Sequence, residues 1–269
     1  MEIKTLKEKK GNIYNSKYTK IITKNMIERD MYDLKLSQRD IAKKYHIGKG
    51  TVQHLQYKYK LEILNLFKRK VPRQLTYEQK QVILGTSIAD GHIFRKNQKR
   101  HGALSIKHSI KQLELVNCKY ETLKELVRTS PTIQISYIKG KQYKCKSFRT
   151  LTHDYFTYLH NELYTKNYDG KFIKHLCKNI LNKIDPMGLA IAYMDDGTVH
   201  HKQRDFCFEC YSKKEQQMFC DWLNEKYKLK ARVIKYNKTR WRIRIYSWQK
   251  FDEIISPFII SSMKYKIQK

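Results

Sequence analysis

Two stretches of this chain, roughly a hundred residues apart, read as the same element. Ile83-Leu84-Gly85-Thr86-Ser87-Ile88-Ala89-Asp90-Gly91 and Leu189-Ala190-Ile191-Ala192-Tyr193-Met194-Asp195-Asp196-Gly197 are each an apolar helix rich in small residues that ends in aspartate and glycine. A carboxylate at the C-terminal end of a helix faces the negative end of the macrodipole and is disfavoured there. Two such carboxylates in one chain call for a compensating cation. Gly85 and Ala89 in one helix, and Ala190 and Ala192 in the other, leave room for the two backbones to approach, so that Asp90 and Asp196 arrive together.

The segments around the motifs repeat as well. Each half continues with a hairpin (about 92–107 and 198–211), then an amphipathic helix opened by Ser109 or by Ser212 with Glu215. A second hairpin (132–150 and 231–246) and a last helix follow. In the first amphipathic helix, Leu113, Val116, Tyr120, Leu123 and Val127 form the expected apolar stripe. The final segments align without gaps at an offset of 95, pairing Thr152 with Ser247, Phe156 with Phe251, Leu159 with Ile254 and Lys171 with Lys266. The expected architecture is α+β, an αββαββα unit duplicated about a pseudo-twofold axis, with curved antiparallel sheets. Its halves are predicted at 75–175 and 176–269.

The charge says what such sheets face. The chain is formally +31, with +11 in residues 1–72 and +20 in the remainder, so the excess is not a single tail. Hairpins 92–107, 132–150 and 231–246 contain no Asp or Glu and carry five, five and six Lys or Arg; 198–211 is the exception, with Asp205 and Glu209. A solvated face mixes both signs, so acid-free ribbons point to a polyanion, with double-stranded DNA ahead of membrane. Candidate contacts are Arg95, Lys107, Lys144, Lys146, Arg149, Lys202, Arg204, Arg240, Arg242 and Arg244. No apolar run approaches a membrane-spanning length, and charged Met1–Lys10 does not read as a secretory signal, so a cytoplasmic protein of a bacterial or phage-infected cell, or one encoded in an organelle, is expected. Cys207 and Cys210 are the one CxxC, without a second pair at zinc spacing.

The N-terminal part divides into a basic tail at 1–20, a helical module at 21–66 and a linker at 67–74 that includes Lys68-Arg69-Lys70-Val71-Pro72-Arg73. Ser37 with Asp40 three residues on starts one helix, His46-Ile47-Gly48 breaks it, and a second helix follows from Lys49. Two short helices about a glycine-containing turn describe a helix-turn-helix. Lys49, Thr51, Gln53, His54 and Gln56 are its expected exposed side chains, suited to bases and phosphates.

Both motifs, with the repeated order of helices and ribbons, resemble the LAGLIDADG homing endonucleases in their single-chain, two-motif form. The second motif is the closer match; Thr86-Ser87-Ile88 departs where the family more often has apolar residues and an acid. Pro186-Met187 and Met263-Lys264-Tyr265-Lys266 resemble the subgroup that includes the yeast mitochondrial intron endonuclease. The resemblance implies a monomeric, Mg2+-dependent site-specific endonuclease (Mn2+ substituting) that cuts both strands at a long asymmetric site and leaves short 3′ overhangs. It implies metal ligation by Asp90 and Asp196 and by the backbone carbonyls of Ala89 and Asp195, with Lys171 and Lys266 as the basic residues of the active centre. A transcription regulator on the same fold and an intron RNA maturase are the alternatives.

Overall fold

The computed structural model describes residues 22–34, 36–61, 71–96, 100–138 and 140–267, without the side chains of 136, 138 and 200. The basic tail at 1–20, and Lys68, Arg69 and Lys70 of the linker, lie outside the described residues. The chain divides into two compact units, Met1–Arg69 and Lys70–Lys269.

In the first unit, α1 (Lys24–Glu28) widens into a π turn over Arg29–Asp33, followed by α2 (Gln38–Lys44) and α3 (Lys49–Lys58). Ser37 and Asp40 form a reciprocal capping box at the start of α2. His46, at φ 52, takes the left-handed conformation in the turn between α2 and α3. Ile41 and Ala42 from α2 and Val52 and Leu55 from α3 pack with Ile22, Ile27, Met31 and Leu61 into a small core. Lys49, Gln53 and His54 are exposed and Thr51 is half-buried. Gln56, expected on the exposed face, is instead buried, where it accepts from Gln38 and donates to the Met31 sulfur. It lies one turn past Val52, on the buried face of α3.

The second unit repeats one architecture twice. The first half runs α4 (Tyr77–Ile88), β1 (His92–Phe94), β2 (Ala103–Ser109), α5 (Leu113–Leu123), β3 (Thr132–Ile138), β4 (Lys141–Arg149) and α6 (Asp154–Leu163). A short ribbon of β5 (Tyr164–Lys166) and β6 (Phe172–Lys174), then α7 (Lys178–Leu181), lead into the second half. That half runs α8 (Pro186–Asp196), β7 (Gly197–His200), β8 (Gln203–Phe206), α9 (Lys213–Tyr227), β9 (Ala231–Lys235), β10 (Trp241–Ile245) and α10 (Trp248–Ile255). The two antiparallel sheets have the same strand order, β1-β2-β4-β3 and β7-β8-β10-β9.

The motif helices α4 and α8 pack against each other through glycine. A Cβ on Gly85 would lie 2.2 Å from the Gly188 carbonyl oxygen and 2.9 Å from Ile191 Cβ. Both helices start on strong caps: Thr76 with Gln79 for α4, and Asp185 with Pro186 at the first position for α8. Gln81 of α4 ties its helix to the start of α8, its amide donating to Lys183 O and its oxygen accepting from the Asp185 N–H. One continuous core surrounds the pair, taking Leu104, Ile106 and Phe148 from the first sheet and Phe206, Ile243 and Ile245 from the second.

Of the stripe expected on α5, Val116, Leu123 and Val127 are buried and Tyr120 packs against the core, and Leu113 alone departs. Leu113 is exposed, while Leu115, Val116, Lys119 and Leu123 are buried. Residues 110–112 form a 3-10 turn before α5, which rotates the following helix relative to a start at Ser109. A lysine therefore stands on the core-facing side.

Candidate active site

The C-terminal ends of α4 and α8 place Asp90 and Asp196 at corresponding positions, each just before the first strand of its sheet. Each helix end is met by an ammonium group. Lys174, from β6, donates to the carbonyls of Ala89 and Gly91, both at 2.6 Å. Lys266, buried in the 3-10 turn Ser261–Lys266, donates to Met194 O at 2.6 Å and Asp195 O at 3.3 Å. The last carbonyls of a helix have no partner within it and carry its negative dipole end, so a cation there satisfies both. The Tyr211 hydroxyl adds a third contact, donating to Ile88 O at 2.7 Å.

The lysine of the first half is thus Lys174. Lys171, paired with Lys266 in the gapless alignment, is exposed in the turn of the β5–β6 ribbon, where its N–H donates to Asn167 Oδ1. Three residues further along, β6 pairs with β5 and directs Lys174 inward. The alignment failed because the second half reaches its lysine through a 3-10 turn and the first through a ribbon.

Behind the aspartates lies a buried network that the sequence pattern did not reveal. Lys119 Nζ stands 2.5 and 2.7 Å from the two Asp195 carboxylate oxygens and 3.2 Å from His108 Nε2. The other ring nitrogen of His108, Nδ1, is 3.4 Å from Asp90 Oδ2. The signal available in advance was a lysine four residues from Leu115 and Leu123, on their stripe.

The two aspartates sit in unequal fields. Burial raises Asp90, yet the adjacent His108 ring, with Lys119 and Lys174, brings its carboxyl below the ordinary range. Asp196 is pushed up to about 7 by burial and by the negative charges of Asp90 and Asp195, against the opposing pull of Lys174 and Lys266. Burial lowers both Lys174 and Lys266, and the surrounding carboxylates work against that shift.

The sheets sort the predicted basic residues by strand parity, because alternate side chains point to opposite faces. On β4, Phe148 enters the core, so Lys144 and Lys146 share its helix-side face; Lys146 bonds Asn117 of α5. Arg149 takes the open face, stacked on Phe94, and Lys107 is exposed on the same face of β2. Arg95 is held on the helix side by Asn161 of α6. Lys202 is exposed in the β7–β8 turn.

In the second sheet Arg204 is buried, forming a double hydrogen bond to Asp252 of α10 and a third to Ile267 O. It shares the core-facing parity of Phe206, so it serves the fold and not the open face. Replacing Arg204 by Met would strand the Asp252 carboxylate and cost about 3 kcal/mol. Thermal denaturation checks this; an unchanged melting temperature would return Arg204 to the surface. Arg244 and Arg242 do lie on the open face, and the two acids of hairpin 198–211 are their partners. Arg244 bonds both oxygens of Asp205, and Arg242 bonds Glu209 while stacking on Tyr236. Arg232 and Arg240 are exposed.

Comparison with known proteins agrees with this architecture. The model of the LAGLIDADG DNA endonuclease family matches residues 80–251, well over half of the chain, and the chain belongs to that family. Cytochrome b mRNA maturase bI2 of Saccharomyces cerevisiae is 39% identical over 134 residues, 48% of this chain and 32% of the maturase. Protein RecA of Mycolicibacterium flavescens is 27% identical, over 73% of this chain and 48% of its own length. The chain therefore spans a third to a half of these relatives. DNA endonuclease I-ChuI of Chlamydomonas applanata is 26% identical, over 72% of this chain and 95% of that protein. Among solved structures, the homing endonuclease I-WcaI bound to its DNA recognition sequence shares the fold, with a TM-score of 0.66, 23% identity, and coverage of 74% of this chain and 90% of that one.

Proposed function

We propose that this chain is a site-specific DNA endonuclease that hydrolyses one phosphodiester in each strand of a long, asymmetric duplex site, leaving short 3′ overhangs and acting as a monomer. The observation that carries this reading is the pairing of Asp90 and Asp196 on two packed, duplicated helices, each with its own lysine. Three carboxylates gather there. Lys119 compensates Asp195, whereas at Asp196 burial and repulsion outweigh the pull of Lys174 and Lys266. An all-oxygen donor set with uncompensated negative charge suits a hard divalent cation, Mg2+ with Mn2+ as substitute. Asp90 and Asp196 would hold it; the carbonyls of Ala89 and Asp195, which already accept from Lys174 and Lys266, would each have one lone pair left for it. Such an ion supplies an activated water and charge relief for the departing 3′ oxygen. Lys174 and Lys266, held in place by helix-end carbonyls, offset charge that develops on the phosphate. The open sheet faces, with Lys107, Arg149, Arg232, Arg240, Arg242 and Arg244, take the duplex. The N-terminal unit extends the contact through Lys49, Thr51, Gln53 and His54 as a helix-turn-helix.

The test is incubation with a supercoiled plasmid library carrying randomised inserts. Linear product in Mg2+, its absence in EDTA, and one recovered target sequence are expected; an uncut library in Mg2+ and in Mn2+ overturns the reading. On the recovered duplex, Lys174→Met should slow cutting by about a hundredfold with little loss of affinity, while Lys171→Met cuts at the wild-type rate. The reverse pattern would restore Lys171 to the site. The likeness to a maturase favours one second reading, assistance to intron RNA folding, which binding to the RNA transcribed from the gene's own flanks would detect.

A further inference from the structure

The duplication permits a comparison of the two halves atom by atom around their aspartates. In the first sheet Ile106 stands opposite Phe148, and in the second Phe206 stands opposite Ile243. Two residues on, the corresponding side chains are His108 and Phe208. Eleven residues further, on the following helices, come Lys119 and Phe219. The two pairs touch in the same way: His108 Nε2 to Lys119 Nζ at 3.2 Å, and the Phe208 and Phe219 rings at 5.2 Å between centroids. On the charged side Asp195, the residue before the motif aspartate Asp196, completes a trio with Lys119; the residue before Asp90 is Ala89. One fold therefore holds a charged trio on one side and an apolar pair on the other. The apolar version shows that packing does not require the charges, and burying them carries a desolvation cost.

Donor chemistry reveals what the charged trio does. An ammonium has hydrogens to give and no lone pair to accept with. Lys119 is fully buried and contributes its hydrogens to both oxygens of Asp195 and to His108 Nε2. Nε2 must then be the acceptor nitrogen, which places the ring hydrogen on Nδ1. Buried Nδ1 has no hydrogen-bond partner within bonding geometry, and Asp90 Oδ2 lies 3.4 Å away. Asp90, His108 and Asp195 could by their spacing hold a metal ion, but the Lys119 ammonium already stands against two of the three.

We propose that Lys119 and His108 are a positioning pair for Asp90: Lys119 sets the His108 tautomer, His108 Nδ1–H orients the Asp90 carboxylate, and the centre built on Asp90 consequently cuts its strand ahead of the centre built on Asp196. Asp196, with phenylalanines at the equivalent places, has no such partner. The cutting order rests on the endonuclease reading; the tautomer does not.

Two measurements separate them. Nitrogen-15 NMR of the metal-free full chain, with His108→Leu to assign the ring, should show His108 protonated at Nδ1 and bare at Nε2. A ring protonated at Nε2 overturns the proposal whether or not any DNA is cut. On the duplex recovered from the plasmid library, strand-specific labels in Mg2+ should show one strand nicked first. His108→Leu should slow that strand by about tenfold, the size expected when the hydrogen-bonding partner of a ligand is removed, and leave the other unchanged. His108→Asn, whose amide N–H overlays Nδ1–H, should restore the order. Equal slowing of both strands, or no rescue by asparagine in a variant that melts like wild type, overturns it. A library that is never cut overturns the endonuclease reading and leaves the tautomer result standing.

Discussion

Asp196→Asn is expected to abolish cutting while making the metal-free protein more resistant to heat. The loss of activity should exceed about a thousandfold, because a neutral amide neither holds a divalent cation as a carboxylate does nor supplies its charge. Binding to the recovered duplex should stay within a few fold, since the contacts come from the open sheet faces. The stability gain follows from linkage. Asp196 has its folded-state pKa raised from 3.8 to about 7, so the unfolded chain ionises first as pH rises. Folded-state stability falls across that interval and the loss is complete above the upper value. Asparagine escapes the loss. At pH 8 the variant should gain on the order of 2 kcal/mol, or several degrees in melting temperature, and the gap should close below about pH 4. Asp90→Asn should abolish cutting equally but not raise the melting temperature, because His108, Lys119 and Lys174 favour the ionised form of Asp90. Calorimetry at two pH values checks the sign. A cleaving variant of either aspartate removes the active-site assignment.

Gly85→Ala should cost about 3–5 kcal/mol and take activity with it. The added Cβ would fall 2.2 Å from a carbonyl oxygen of the opposing helix backbone, which cannot rotate away. The two motif helices would have to separate, and with them the aspartates at their ends. Gly188→Ala is the internal control. Its Cβ meets first the end of the Gln81 side chain, at 2.5 Å, which can give way at the cost of its bond from Asp185 N–H, then Ile184 Cγ2 at 3.1 Å, and backbone only at 3.3 Å. The expected loss is smaller, about 1–3 kcal/mol. Chemical denaturation of both variants measures the difference; equal effects would mean that the close approach at Gly85 does not govern the packing.

The parts legible in advance were those written in local pattern. The duplication, the strand-rich spans, the Ser37 and Ser212 caps and the two helix-ending aspartates all depend on neighbours within a few residues. Parity along a strand is also local, but which parity faces helices is not. Lys144, Lys146 and Arg204 looked like the other basic residues of their hairpins until Phe148 and Phe206 showed which side is the core. That Arg242 and Arg244 have acidic partners is not a local feature, because Asp205 and Glu209 lie more than thirty residues earlier in the chain, and only strand pairing joins them. Leu113 was misplaced by a 3-10 turn that leaves no mark in the hydrophobic period.

The same division runs through the site. That two carboxylates would terminate two small-residue helices follows from composition and spacing, since glycine and alanine permit close backbones and an aspartate–glycine pair ends the helix. That Lys174, and not Lys171, meets the first helix end was decided by the pairing of β6 with β5, which sets where the ribbon aims its side chains. That Lys119 and His108 stand behind Asp90 was decided by packing across sequence separations of eleven to seventy-six residues. A buried charge announces itself only when its partner is in place, because desolvation forbids it anywhere else.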